Sequence, residues 1–274
     1  MMDFQTLFSG RKPLVMGIVN ATGDSFSEGI LSEASTALDR GLILLDEGAD
    51  MLDVGGESTR PGAVCVPVQE ECQRVIPVIK ELKKLRPSCI ISVDTRKSAV
   101  AEAALEAGAD ILNDVSMLRY DPAMTEAAAK SQVPVILAHS RGTPETMKEL
   151  CDYQGDVVQG VLSELLTARE KAEAAGIHQI ILDPNFGFAK TEEQNWELVR
   201  HIDRFCEHGM VLAGVSRKSF IGSLTAESEP EQRLGGTVSC VLYLAEKGVS
   251  IVRVHDVRQV CDALKVQQHL RGAQ

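Results

Sequence analysis

Eight short apolar runs recur along the chain, each running into a polar or charged residue, with longer amphipathic stretches between them. The runs are LVMGIVN (14–20), DMLDV (50–54), CIISVD (89–94), DILND (110–114), VPVILAH (133–139), QIILD (179–183), MVLAGV (210–215) and SIVRVH (250–255). Their length and β-branched content predict strands, and their near-continuous hydrophobicity predicts a sheet covered on both faces. The segments between them, among them 33–47, 68–84, 97–107, 156–175 and 231–247, repeat apolar residues with a helical period. Gly48, Gly108, Gly176 and Gly248 each stand just ahead of a strand, where a glycine closes a helix. Strand and helix in alternation build right-handed βαβ units. Eight such units predict an α/β fold, a single (β/α)8 TIM barrel with its active site at the C-terminal ends of the strands. A doubly wound open sheet competes, but its G-x-G-x-x-G fingerprint is missing after the first strand. No linker, low-complexity tract or charge block divides the 274 residues, so one domain is expected, with its core over about 14–268.

The strand ends carry the chemistry. In order they present Asn20, Asp53, Asp94, Asn113 with Asp114, His139, Asp183, the SRKS of 216–219 and the RVH that ends at His255. In a barrel these positions share one rim. Each taken singly has a plainer reading: Asp94 before Thr95 and Ser216 before RKS are candidate helix N-caps, and Asn113 a turn cap. Carboxylates and amides come from the middle strands, whereas cations gather late, as Arg217, Lys218 and Arg253, with Lys190 after the sixth strand. Loops after strands seven and eight often hold phosphate in such barrels. The pattern predicts an anionic group there and a polar heterocycle deeper in. After the second strand, DVGGESTRPGA (53–63) combines hinge glycines, hydroxyls, an arginine and a φ-fixing proline. That is a shaped, charged loop rather than a plain turn.

Charge and composition narrow the partners. A formal net charge of −11 makes nucleic acid and anionic membrane surfaces unsuitable, because both need broad positive potential. No stretch approaches the ~18–20 apolar residues of a membrane span, and the first residues lack the pattern of a secretory signal. Seven cysteines without a Cys-x-x-Cys pair favour neither a disulfide framework nor a zinc site, so a reducing cytoplasm is expected.

MGIVNATGDSF (16–26), DVGGESTRPGA (53–63), SVDT (92–95), ILND (111–114), ILDPNFGF (181–188), SRKSFIG (216–222) and RVHDV (253–257) resemble the successive motifs of the dihydropteroate synthases. The resemblance runs from about residue 14 to about 265, in matching order and spacing. It implies condensation of 6-hydroxymethyl-7,8-dihydropterin diphosphate with p-aminobenzoate, release of diphosphate, Mg2+ as cofactor, sulfonamides as competitors and a homodimer.

Carried over by position, Asp183 is the implied pterin anchor, since a carboxylate can accept from the amino and ring N–H groups in parallel. Asn113 and Asp94 would hold other ring edges and Lys218 the carbonyl side, with Phe188 and Arg253 beside the ring. Phe26, Thr59, Arg60, Pro61, Phe188, Lys218 and Ser219 would line the aminobenzoate site. Asn20, Thr59, Arg60, Arg253 and His255 would hold the diphosphate, with Asn20 as the metal ligand. Asp94, Arg60 and Lys218 are the implied catalytic groups, in a mechanism where loss of diphosphate leaves a resonance-stabilised pterin methylene cation.

The sequence departs from the family pattern at several places. Gly23 replaces a usual proline, Ile30 part of a glycine pair, Asn185 and Ala189 usual glycines, and Ala138 a methionine that packs on the pterin ring. Two other activities share part of the motif set. A folate-to-corrinoid methyltransferase barrel would keep the pterin anchor but has no use for GESTRPG, and a non-catalytic paralogue would be expected to lose Asn20, Arg60, Lys218 or His255.

Overall fold

The computed structural model describes residues 13–21, 30–58, 63–143 and 146–272. Eight parallel strands pair in chain order and close into a barrel: β1 (Leu14–Asn20), β2 (Met51–Gly55), β3 (Ile90–Asp94), β4 (Ile111–Asp114), β5 (Val135–Ala138), β6 (Ile180–Asp183), β7 (Met210–Ala213) and β8 (Ile251–Val254). The expected barrel is therefore present, and closure of the eight described strands rules out the doubly wound alternative. Around it lie α1 (Ile30–Asp46), α2 (Val68–Leu85), α3 (Ser98–Glu106), α4 (Met124–Ser131), α5 (Val157–Ala174), α6 (Glu192–Arg200), α7 (Asp203–Cys206), α8 (Ser219–Thr225), α9 (Leu234–Glu246) and α10 (Val257–Leu270).

Two apolar clusters explain the near-continuous hydrophobicity of the strands. One fills the barrel itself, with Leu14, Met16, Met51, Ile90, Ile111, Ile136, Ile181, Leu212 and Ile251. The other joins outward residues such as Val15, Leu52, Ile91, Leu112, Leu182 and Val252 to the helices. Successive strand side chains point to opposite faces, so each strand feeds both clusters alternately. Close approach decides two glycines: a Cβ on Gly17 would stand 3.1 Å from Leu44, and one on Gly41 3.0 Å from Leu82. The four glycines expected at helix ends have φ between 92° and 112°, the left-handed region that glycine enters without steric cost. Three strands end earlier than the sequence suggests. β5 stops at Ala138, which leaves His139 beyond it, β7 stops at Ala213, and β8 stops at Val254, short of His255.

Candidate active site

The interior of the barrel is layered. Met51, Ile111, Ile181 and Ile251, one from each even-numbered strand, are all fully buried. Two residues further along the same strands stand Asp53, Asn113, Asp183 and Arg253. A step of two returns a strand side chain to the same face, and the stagger of a closed barrel brings four residues from alternate strands to one level. A layer that would be apolar in a purely structural barrel is thus entirely polar. Asn113 Nδ2 donates to Asp53 Oδ2 at 3.0 Å, and Arg253 Nη1 donates to the same oxygen at 2.8 Å.

The register Ile18↔Asp53, Asp94↔Asn113 and Ala138↔Asp183 puts Ile18, Asp94 and Ala138 on the next layer toward the rim. Gly214 joins them, since a Cβ there would stand 3.4 Å from Arg253 Nε. Two of these four positions carry a methyl group or nothing, so a flat molecule can lie over the polar layer.

Burial without partners marks the chemistry here. Asp53 Oδ1, Ser92 Oγ, Asn113 Oδ1 and Asp183 Oδ2 are four of the eight buried side-chain polar atoms without a hydrogen-bond partner among the described residues. Each such atom costs ~1–3 kcal/mol, so their concentration in one mouth calls for a ligand that satisfies them. Asp183 Oδ1 is already used, accepting the Asn185 backbone N–H at 2.6 Å.

Charge is unbalanced in the same place. Arg253 Nη1 lies 2.8 Å from Asp53 and 3.6 Å from Asp94. Burial works against the Arg253 charge, but Asp53, Asp94 and Asp183 together hold it protonated well above the usual range. Burial and then the neighbouring Asp53 push the Asp94 carboxyl well above its ordinary value, with Arg253 opposing. Burial raises Asp183 too, against Arg253 and the Asn185 N–H.

At the rim, Asn20 ends β1 with its side chain exposed, and it shares a groove of about 490 Å3 with His255, Arg40 and Arg217. His255 Nδ1 meets Ser216 Oγ at 3.0 Å, and Arg40 donates to the His255 carbonyl at 2.6 Å. Phe188 lies after β6 with Lys218 Nζ 4.6 Å from its ring centroid, while Ser219 opens α8 and is exposed. Phe26, Thr59, Arg60 and Pro61, with Gly23, lie outside the described residues, as does the side chain of Ile30.

The structure sorts the remaining strand-end residues differently from a single shared rim. Asp114 and His139 each follow an inward residue, so they point outward under the loops. Asp114 Oδ1 accepts from the Ser116 N–H and hydroxyl, both at 2.6 Å. The late cations also divide. Arg217 is taken up by Asp256 at 2.8 Å and Glu231 at 3.1 Å, and Lys190 is buried behind the β6 loop. Neither capping alternative is realised: Lys97 and Lys218 occupy the N-cap positions of α3 and α8, with no side-chain cap from Asp94 or Ser216.

Asp53 has no role among those implied by the motifs, although its offset of two from Met51 sets it inside the barrel. A buried ion cluster behind the second loop is likewise absent from the motif pattern. Glu57 accepts from Arg96 Nε at 2.8 Å, Lys97 Nζ at 2.7 Å and the Val66 N–H at 2.7 Å, while Lys97 also binds Glu71.

The family model for the pterin binding enzymes matches residues 16–255. A dihydropteroate synthase from Synechocystis is 42% identical over 272 residues, covering 97% of this chain and 93% of the relative. The folic acid synthesis protein of Schizosaccharomyces pombe is 43% identical over 94% of this chain, which spans 36% of that longer protein. The solved Xanthomonas albilineans dihydropteroate synthase with 4-aminobenzoic acid superimposes with a TM-score of 0.89 at 46% identity, covering 96% of this chain and 94% of that one. The chain therefore belongs to the pterin-binding enzymes and, within them, to the dihydropteroate synthases, a family of transferases.

Proposed function

We propose that the chain joins 6-hydroxymethyl-7,8-dihydropterin diphosphate to p-aminobenzoate, with release of diphosphate. The observation that carries this reading is the polar interior layer, with Asp183 Oδ2 and Asn113 Oδ1 as buried acceptors that no described group satisfies. A pterin presents an amino group and ring N–H groups along one edge, which is the donor set these two oxygens lack. Arg253 belongs to the same layer, and Lys218 stands at the strand-seven side, so the ring carbonyl and the phosphates meet cations. The paucity of side chain at Ala138 and Gly214 suits a flat ring.

The reaction needs charge stabilisation more than a strong base. The C–O bond to the diphosphate breaks first, and the electron pair leaves with the diphosphate oxygen. The methylene carbon then carries positive charge shared with the pterin ring. Asp94, one layer nearer the rim than Asp183, offsets that charge, and Arg253 and His255 hold the departing anion. The arylamine nitrogen of p-aminobenzoate forms the new C–N bond and sheds a proton. Thr59, Arg60, Pro61 and Phe26 complete the aminobenzoate site with Phe188, Lys218 and Ser219, and exclude the water that would otherwise capture the cation. Sulfonamides compete there as aminobenzoate mimics. A cytoplasmic homodimer is proposed with the activity.

Among the described residues no group of three His, Cys, Asp or Glu side chains gathers as a metal site. The exposed amide of Asn20 fits a different arrangement, in which Mg2+ takes one or two protein oxygens and completes its shell with water and substrate phosphates. So bound, Mg2+ would neutralise the leaving oxygens. A chelator is expected to suppress turnover and added Mg2+ to restore it. Turnover that persists in excess chelator would remove Mg2+ from the mechanism.

The direct test supplies dihydropterin diphosphate, p-aminobenzoate and Mg2+ and measures diphosphate release. Absence of release from folded protein would favour the non-catalytic paralogue. Asp183→Asn is expected to weaken pterin binding by ~1.5–3 kcal/mol, the range for hydrogen bonds to a charged acceptor. Calorimetry reads this directly, and unchanged affinity would remove Asp183 as the anchor.

A further inference from the structure

We propose that Lys190 is a positioning residue, tying the loop after β6 to the end of β5 so that Phe188 and the free oxygen of Asp183 are presented at the right height. The role of those two groups rests on the synthase reading above, whereas the tie itself is a matter of geometry. Lys190 is 8% exposed, and its Nζ meets His139 Nδ1 at 3.1 Å, the Asn185 carbonyl at 3.1 Å and the Phe188 carbonyl at 2.8 Å. Three acceptors around one tetrahedral nitrogen use all three protons of an ammonium group. His139 Nδ1 therefore accepts, which leaves its proton on Nε2, 3.2 Å from Glu164 Oε2. Arg141 anchors Glu164 in turn at 2.5 Å.

The other end of the tie is the loop. The Asn185 backbone N–H holds Asp183 Oδ1 at 2.6 Å, and the Asn185 side-chain amide donates to the His139 carbonyl at 3.1 Å. Asn185 and Ala189 have φ of 52° and 51°, a left-handed conformation that residues with a Cβ keep only where their surroundings hold them. The carbonyls that Lys190 grips are those of Asn185 and Phe188, so loss of the amine releases both ends of the turn that aims the Phe188 ring toward Lys218.

The tie depends on protonation. Burial pulls the Lys190 amine down to about 7, Lys218 and Arg141 add repulsion, and Asp183 and Glu164 partly oppose them. Burial and then Lys190 hold His139 neutral, at about 3. As pH rises through the Lys190 value, two protons remain for three acceptors and one contact opens.

Hydrogen exchange of the 185–189 amides, corrected for intrinsic rate and followed from about pH 6 to about pH 8.5, tests this on the free protein. Wild-type protection is expected to fall across about pH 7. Lys190→Met should exchange roughly tenfold faster at pH 6, the equivalent of about one buried hydrogen bond, without that step. In turnover, Lys190→Met should raise KM for p-aminobenzoate roughly tenfold while kcat changes far less. His139→Asn, which keeps an acceptor near the Nδ1 position, should retain the pH step. Wild-type protection that is flat across pH 7, or equal protection in a folded Lys190→Met, overturns the proposal. If Lys190→Met does not fold, the wild-type series decides alone. A wild-type protein that shows the step but releases no diphosphate overturns the synthase reading and leaves the tie standing.

Discussion

Replacing Arg253 with methionine is expected to cost ~3–5 kcal/mol of stability and to abolish measurable pterin turnover. Methionine keeps most of the aliphatic stem, so the loss is chiefly the charge. Arg253 is 12% exposed, and its Nη1 serves Asp53 Oδ2 at 2.8 Å and Asp94 Oδ2 at 3.6 Å. Asp53, 3% exposed, already has one oxygen without a partner, and Asp183 is fully buried on the same layer. Without the guanidinium, three carboxylates face one another in a low-dielectric mouth, where uncompensated charge is far costlier than at the surface.

The pH dependence gives this loss a signature. Asp94 and Asp183 are both raised by burial in the folded protein. A carboxyl whose folded value lies above its unfolded value contributes stability at low pH and loses it as pH rises through the folded value. Removing Arg253 raises both further, so the deficit of the variant should be smaller at about pH 5 than at about pH 8. Urea unfolding of both proteins at the two pH values measures it, and Asp53→Asn added to Arg253→Met should recover part of the loss. A deficit of the same size at both pH values would mean that Arg253 acts through packing rather than charge.

The barrel was legible because eight apolar runs with helical stretches between them leave few alternatives, and the strands lie within one or two residues of the segments that announced them. Much of the site was legible too. Asn113, Asp183 and Arg253 each stand two residues beyond an interior isoleucine, and side-chain alternation alone puts them inside the barrel. The same rule separates Asp53 from Asp114 and His139, which a count of polar strand ends had grouped together. Pairing was not legible. Arg217 reads as one more phosphate-binding cation until the fold brings Asp256, 39 residues away, to its guanidinium. Nothing in the sequence marks Glu71, an acidic residue in the first turn of α2, as buried, yet it is 1% exposed. The short helices α7 and α8 span too few turns for a period, while α6 is marked at its start by the capping box of Thr191 and Gln194.

Lys97→Met should give the second large effect, a loss of ~3–5 kcal/mol, because among the described residues it leaves the buried Glu71 carboxylate with the Thr95 hydroxyl, at 2.7 Å, in place of a charged partner. Glu57 is less exposed to the change, since Arg96 Nε at 2.8 Å and the Val66 N–H at 2.7 Å still hold it. Glu57 resists the burial that would raise its pKa because Lys97, Val66 and Arg96 together lower it. Its share of stability is therefore present above the unfolded value near ~4.3 and fades as acid takes the carboxyl through its lower folded value. The double variant Lys97→Met with Glu71→Gln removes the stranded charge and should recover more than half of the loss, a coupling that unfolding of the single and double variants measures. Glu57 also spans the segment up to Val66, so loosening the cluster should raise KM for p-aminobenzoate, whose proposed contacts Thr59, Arg60 and Pro61 lie within that segment. Wild-type stability in Lys97→Met, or a double variant no better than the single one, would show that these charges are solvated rather than buried together.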